Sequence, residues 1–288
     1  MTSIWLNQII QGILVGGLYA LYASGLSLSV GILRFVNIAH GDLIILACFA
    51  QFLFVVVFGI PPVLAACVLV VVCAIVAWLM QKYLLDRILH HGIMPTVLVT
   101  FGISICIQNS LLGVFDADSR KVPAGDLDIA SVALTDDVFI GVLPMLIFLS
   151  AVALIFVLNY FLFSTQIGTR IRAVAENPDT ANLMGLPTGR LYAVSMAMVG
   201  VSIGLTAVFL SIWTNFDASA GQSRLLIAFE VVVLGGLGSL WGTLIGGIIL
   251  GVAQAVGAQF DAGWQALSGH IVFLAIFLVR PRGLFPRD

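Results

Sequence analysis

An all-α polytopic membrane protein of about nine crossings (eight to ten) is the fold this sequence predicts, and three observations predict it. Of 288 residues, 61% are hydrophobic and only 9% charged, whereas a soluble globular domain carries about 25% charged residues to cover its surface. Mean hydropathy is +1.15, and runs of about 20 apolar residues, long enough as helix to span a ~30 Å hydrocarbon core, recur from end to end. The basic residues, finally, fall into alternating loops in the way that sets membrane orientation. A net charge of −2 offers nothing to an acidic partner or to nucleic acid.

In chain order, spans are expected near 8–32, 38–58, 62–83, 94–115, 139–163 and 191–213, then an apolar stretch over 225–258 and a final span near 264–279. As one helix, 225–258 would be on the order of 50 Å long, too long for an ordinary crossing. It contains Gly235-Gly236-Leu237-Gly238-Ser239-Leu240-Trp241-Gly242, a cluster suited to breaking a helix and turning the chain. Charge parity tests the division. With two crossings meeting at the glycines, one side holds Arg34, Lys82, Arg87, Arg170, Arg172, Arg190, Arg280, Arg282 and Arg287, and the other only Arg120, Lys121 and Arg224. With a single crossing the three C-terminal arginines change sides and the bias vanishes. Two crossings therefore win, giving an outside N-terminus and a cytoplasmic C-terminus.

This parity puts 116–138 outside, with Asp116, Asp118, Asp126, Asp128, Asp136 and Asp137 against Arg120 and Lys121, and 164–190 in the cytoplasm. The chain reads as a single transmembrane domain over 1–288, with no room for an autonomous soluble domain. The N-terminal stretch lacks a basic n-region and flows into a full span, so no signal peptide is expected. Cys48, Cys67, Cys73 and Cys106 all lie in apolar runs and read as small hydrophobes, not as a disulfide or metal set. No G-x-x-x-x-G-K-[ST] phosphate loop occurs, so any use of ATP needs an ATPase on another chain.

The 29 glycines mark helix packing. Gly12, Gly16, Ala20 and Ser24 recur every four residues on one face of the first span, and Gly242/Gly246 and Gly247/Gly251 form two G-x-x-x-G pairs after the glycine turn. Close packing is one reading; a smooth wall beside a solute path is the other, and both can hold on opposite faces. The loop Gly168 to Gly185 encodes two short helices. The second has Asn177 as N-cap, Pro178 at the first helical position, Asp179 in the first turn and Gly185 as its stop. Its Ala181, Leu183 and Met184 are expected to form a small exposed apolar surface that fits a groove on a partner; an ordinary interfacial loop helix is the plainer alternative.

Three stretches in this order resemble the hallmarks of one family: Arg34-Phe-Val-Asn-Ile-Ala-His-Gly-Asp42, the 168–185 loop, and Val233 through Gly247. The family is the membrane permeases of branched-chain amino-acid ABC importers. The likeness covers essentially the whole chain, including Gly17-Leu-Tyr-Ala-Leu21 and the terminal Arg-Pro-Arg-Gly-Leu-Phe. It implies a type II ABC-importer bundle in a bacterial inner membrane that moves amino acids, most simply branched-chain ones, by alternating access. It also implies a second homologous permease subunit, two cytoplasmic ATPases carrying the ATP and Mg²⁺, and a periplasmic solute-binding protein; this chain itself would hold no cofactor and catalyse nothing. Under the same likeness 168–185 becomes the coupling element, with Arg170, Arg172, Glu176, Asn177, Pro178, Ala181, Leu183, Met184 and Gly185 facing an ATPase. Arg170 and Arg172 would then meet acidic groups there, or else simply anchor a cytoplasmic loop.

Four polar residues are candidates for the solute path, because polar groups at membrane depth are costly unless paired or wetted. Asn37, His40 and Asp42 cluster where the first span gives way to the second. Their structural alternative is that Asn37 or Asp42 caps the second helix and His40 bonds a carbonyl. Glu230, within Leu225-Leu-Ile-Ala-Phe-Glu-Val-Val-Val-Leu234, must face the bundle interior, paired with Arg224 six residues away or meeting a solute ammonium. Its position is more often uncharged in the resembled family. Relatives that carry urea, amides or small organic acids keep the solute open. An ion-coupled secondary transporter would need more buried ionisable groups and a clear internal repeat. A scaffold or receptor would not need dense glycines beside a polar turn, and an enzyme would need a nucleophile–base set or metal-ligand spacing that the sequence lacks.

Overall fold

The computed structural model describes residues 2–285 apart from 90, 91, 124, 129, 136 and 137. Asp136, Asp137 and Arg287 therefore lie outside the described residues. The described residues form an α-helical bundle with one small hairpin. Helix α1 (Thr2–Leu28) runs on through a π-helical turn to Leu33, and Arg34 at φ +56° ends it. Helix α2 (His40–Phe52) continues to Val57. Helix α3 (Pro62–Met80) starts with its proline at the first position, where no amide bond is lost, and passes through another π turn into the short α4 (Asp86–Leu89). Helix α5 (Ile93–Phe115) follows. In the loop beyond it, β1 (Ser131–Thr135) pairs antiparallel with β2 (Val138–Gly141), a hairpin the hydropathy pattern did not announce. Then come α6 (Val142–Ser164), α7 (Gln166–Glu176), α8 (Pro178–Leu183), α9 (Thr188–Trp213), α10 (Gly221–Gly235), α11 (Leu240–Phe260) and α12 (Trp264–Val279).

Seven of these helical runs are long and apolar enough to cross a membrane, beginning with Trp5–Leu33 and ending with Leu240–Phe260. They match the first six predicted spans and the second half of 225–258. The two remaining predicted crossings correspond to α10 and α12, of 15 and 16 residues. The long stretch is broken at the predicted glycines: Gly236 and Gly238 take φ of +102° and +79°, a region that suits glycine, and Ser239 caps α11 by accepting the Gly242 amide at 3.1 Å.

Contacts sort the loops into two ends. At one end Gly31 lies against Gly238, and Gly189 against Asp86. The segment after α12 returns there too, its Leu284 and Phe285 amides donating to the carbonyls of Leu234 and Gly235 at 2.9 and 3.1 Å. This end carries Arg34, Arg87, Arg170, Arg172, Arg190, Arg280 and Arg282, and is called the basic end below. At the opposite end Trp5 packs on Phe260, Gln8 bonds Gln259, and Gln11 donates to the Phe139 carbonyl. Since α10 and α12 finish at the same end, α11 must run back between them, as the parity argument required.

Helix α1 is the central post. Its glycine face meets α11 so closely that a Cβ on Gly16 would stand 2.6 Å from the Ile248 Cα, and one on Gly12 would stand 2.7 Å from the Val252 Cα. Gly247 and Gly251 return the contact from α11, while Gly242 and Gly246 face α10, where Gly235 and Val231 carbonyls approach them. The two G-x-x-x-G pairs thus serve two different neighbours, and both are packing seams. Helices α3 and α5 sit outermost: only 17% of either span is buried, and their exposed side chains, such as Val63, Val71 and Leu98, suit lipid.

Candidate functional site

Two helices begin inside the bundle, not at its ends, and the sequence-predicted polar turn is what holds them. The His40 ring nitrogen Nε2 lies 2.9 Å from the Tyr22 carbonyl. Tyr22 precedes the end of its helical run at Leu33 by eleven residues, about 17 Å at 1.5 Å per residue. Helix α2 therefore starts about two-thirds of the way along the α1 run, well short of its Leu33 end, with residues 34–39 running back into the bundle to reach it. Helix α10 starts at the same place, with Gly221 so near Asp42 that a Cβ on either Gly41 or Gly221 would run into the other helix.

Polar groups line this junction, all buried. The Ser104 hydroxyl donates to Asp42 Oδ2 at 2.6 Å, tying α2 to α5. Thr100 Oγ1 accepts the Ile38 amide at 3.3 Å. Asn37 Oδ1 accepts the Ala39 amide at 3.1 Å, closing a local turn. These bonds correct the capping expectation: residue 39 is the cap, no side chain caps α2, and Asp42 is spent on Ser104. The carbonyl bond expected for His40 is present. Asn37 Nδ2, His40 Nδ1 and the Tyr22 hydroxyl remain buried without a partner among the described residues.

Glu230 faces the interior, 3% exposed, as its sequence context required, but its partner is different. Its Oε1 lies 2.5 Å from His270 Nδ1 on α12. Arg224 stands elsewhere, its guanidinium 6.0 Å from the Tyr22 ring centroid, so the Glu230–Arg224 pair is not formed. Six residues advance a helix by 600°, which leaves the two side chains about 120° apart around α10. Nor is Arg224 a loop residue, as the parity count had it; it belongs to the first turn of α10 at the junction. Beside the Glu230 pair, the Tyr19 hydroxyl bonds Gln254 Oε1 between α1 and α11. His270, Gln254, Tyr19 and Ser104 were all missed from sequence. Their signal was available in one form only, as isolated polar residues within apolar runs.

At the basic end, α7 and α8 form the projection read from 168–185. Thr165 caps α7 by accepting the Gly168 amide at 3.0 Å, and Asn177 caps α8 by accepting the Thr180 amide at 3.0 Å. Pro178 occupies the first position of α8, and Gly185 ends the segment at φ +79°. Ile171, Val174 and Ala175 turn inward while Arg170, Glu176 and Asn177 face out. Arg172 lays its guanidinium 4.8 Å from the Phe163 ring centroid, an attachment within its own chain. Leu183 and Met184 are 90% and 78% exposed. Ala181 is the correction here: it is 4% exposed and packs inward, so the apolar tip is two residues, not three. Asn177→Ala should cost about 1 kcal/mol of local stability through the lost cap. Hydrogen exchange over 178–184 should then run roughly fivefold faster, with the rest of the chain unchanged.

Among known proteins, the family described as "Branched-chain amino acid transport system / permease component" matches residues 8–280. The high-affinity branched-chain amino acid transport system permease protein BraD of Pseudomonas aeruginosa is 25% identical, over 98% of this chain and 96% of its own. The corresponding permease protein LivH of Escherichia coli is 24% identical over 98% and 96%. The autoinducer 2 import system permease protein LsrD of Yersinia pestis is 28% identical over 66% of this chain and 60% of its own.

Proposed function

The chain belongs to the branched-chain amino acid transport system permease family, and from that premise we propose that it is the membrane permease of an ATP-binding-cassette importer for amino acids, branched-chain ones first. The observation that carries this reading is a full-length family match joined to an exposed, capped two-helix projection at the basic end. A permease without a phosphate loop needs such a handle for an ATPase on another chain. In this reading the basic end is cytoplasmic, the hairpin end is periplasmic, 164–190 is the coupling loop, and 116–138 is a periplasmic loop that a solute-binding protein can approach. The chain forms one transmembrane domain, and α10 and α12 complete nine crossings of a type II bundle beside a second, homologous permease. Two ATPases bind ATP and Mg²⁺.

Arg170, Glu176, Leu183 and Met184 are the residues the ATPase meets, while Asn177, Pro178 and Gly185 shape the projection. Solute passes beside the junction of Asn37, His40 and Asp42, and Glu230 belongs to the same path. Two helices that start inside the bundle give it a place where small motions can open one side and close the other; the ATPase contact must differ in energy between those two states for coupling to occur.

Co-purification from membranes tests the reading. A stable complex with ATPase subunits is expected, with amino-acid uptake that requires ATP and the binding protein. Robust uptake by this chain alone would overturn it.

A further inference from the structure

The exposed faces of the transmembrane helices are not alike. Across α3, α5 and α6 no Asp, Glu, His, Lys or Arg occurs at all, as lipid contact demands. Helix α12 presents Trp264, Leu267, Ile271, Leu274 and Leu278 on a similar apolar row, yet the side chain of His270 stands in it 40% exposed. Behind the imidazole is the buried carboxylate of Glu230, whose second oxygen, Oε2, has no partner among the described residues. A polar pair of this kind, placed in a row that would otherwise face hydrocarbon, indicates water or solute in front of it.

The position of His270 is fixed from α11. The Ser268 hydroxyl donates to the Ala253 carbonyl at 2.9 Å. Gly269 lies against Gln254, which is itself held by Tyr19. Helix α12 therefore cannot easily slide or rotate to bring the imidazole elsewhere. Nδ1 faces the Glu230 carboxylate, and the tautomer that donates to that carboxylate leaves the Nε2 lone pair on the far side of the ring, away from Glu230. The carboxylate behind the ring makes that nitrogen a stronger acceptor and adds negative potential in front of it.

We propose that the exposed face of α12 lines the solute path and that His270 Nε2, backed by Glu230, contacts the ammonium group of the solute. The proposal deepens the importer reading and rests on it for the identity of the solute. A carboxylate solute without an N–H donor gains nothing from this contact.

The test uses the chain in membranes, expressed with its partner subunits, after Cys48, Cys67, Cys73 and Cys106 are each replaced by alanine. Single cysteines are then introduced as Leu274→Cys, one turn from His270, and Phe156→Cys on the exposed face of α6. A membrane-impermeant methanethiosulfonate should modify the cysteine at 274 at least tenfold faster than the one at 156. Isoamylamine should slow modification at 274 severalfold, 4-methylpentanoate should not, and His270→Leu should abolish the amine's effect. Equal rates at 274 and 156 would overturn the wet face. Fast modification with no protection by the amine, or with equal protection by the acid, would overturn the ammonium contact. Labelling needs no transport, so a failure of ATP-driven uptake leaves this result separately readable.

Discussion

Replacing Gly41 with alanine is expected to abolish the folded, transporting protein. The added Cβ would run into the Gly221 carbonyl oxygen and stand 3.0 Å from the Leu225 Cβ. The nearest obstacle is backbone, so no side chain can rotate out of the way. To make room, α2 and α10 must part at the point where both begin. That separation strains the Asp42–Ser104 bond and the His40 contact with the Tyr22 carbonyl, which hold the junction to α5 and α1. Overpacking against movable side chains costs about 1–3 kcal/mol; against two helix starts the cost is expected at or above the top of that range, a large share of a stability of roughly 5–15 kcal/mol. Gly221→Ala should also fail, since its Cβ would meet the Asp42 carboxylate, which Ser104 holds in place, and would stand 2.9 Å from the Asp42 Cα. Gly102→Ala on α5 is the control, because nothing lies within 4 Å of its added methyl. Alanine there should be neutral or stabilising by up to about 1 kcal/mol. Yield of monodisperse protein in detergent, with uptake in whole cells, reads all three; wild-type yield and uptake for Gly41→Ala would contradict the tight junction.

The broad architecture was legible because lipid imposes it. A span needs about 20 apolar residues, the glycine cluster at 235–242 marks the turn that divides one long apolar stretch into two helices, and Asn-Pro-Asp with a later Gly writes a short capped helix plainly. The elements that escaped are those set by tertiary approach. Residues 34–42 read as an end-of-membrane turn because hydropathy has no measure of depth, and tertiary contacts of His40 with Tyr22 and Gly25 place that turn well inside the bundle beside α1. Arg224 and Glu230 read as a pair because they are near in sequence, whereas the helix phase sends one to Tyr22 and the other to α12. His270 lies 40 residues from Glu230 in an unremarkable apolar run, and no spacing rule joins them. Ala181 looked exposed beside Leu183 and Met184, but the turn of α8 points it back at the bundle.

Leu183→Asp combined with Met184→Asp is expected to disconnect the permease from its motor while leaving the bundle intact. Both side chains are almost wholly exposed, so charge at these positions removes no internal contact, and the Asn177 cap and Gly185 stop that shape α8 are untouched. What changes is the tip offered to a partner. An apolar anchor that fills a groove is worth about 2 kcal/mol or more when lost, roughly thirtyfold in affinity. Here each replacement also asks the ATPase to desolvate a carboxylate. The two losses are not additive, since the residues are adjacent and share one contact. The double variant should therefore retain its melting behaviour and membrane yield, lose ATPase subunits on gentle purification, and show at least tenfold less ATP-driven uptake. Leu183→Met should preserve most of the association, because an apolar tip of similar size remains. Normal co-purification of the double aspartate variant would place the ATPase contact elsewhere on the basic end, with the outward-facing Arg170 and Glu176 on α7 as the next surface to change.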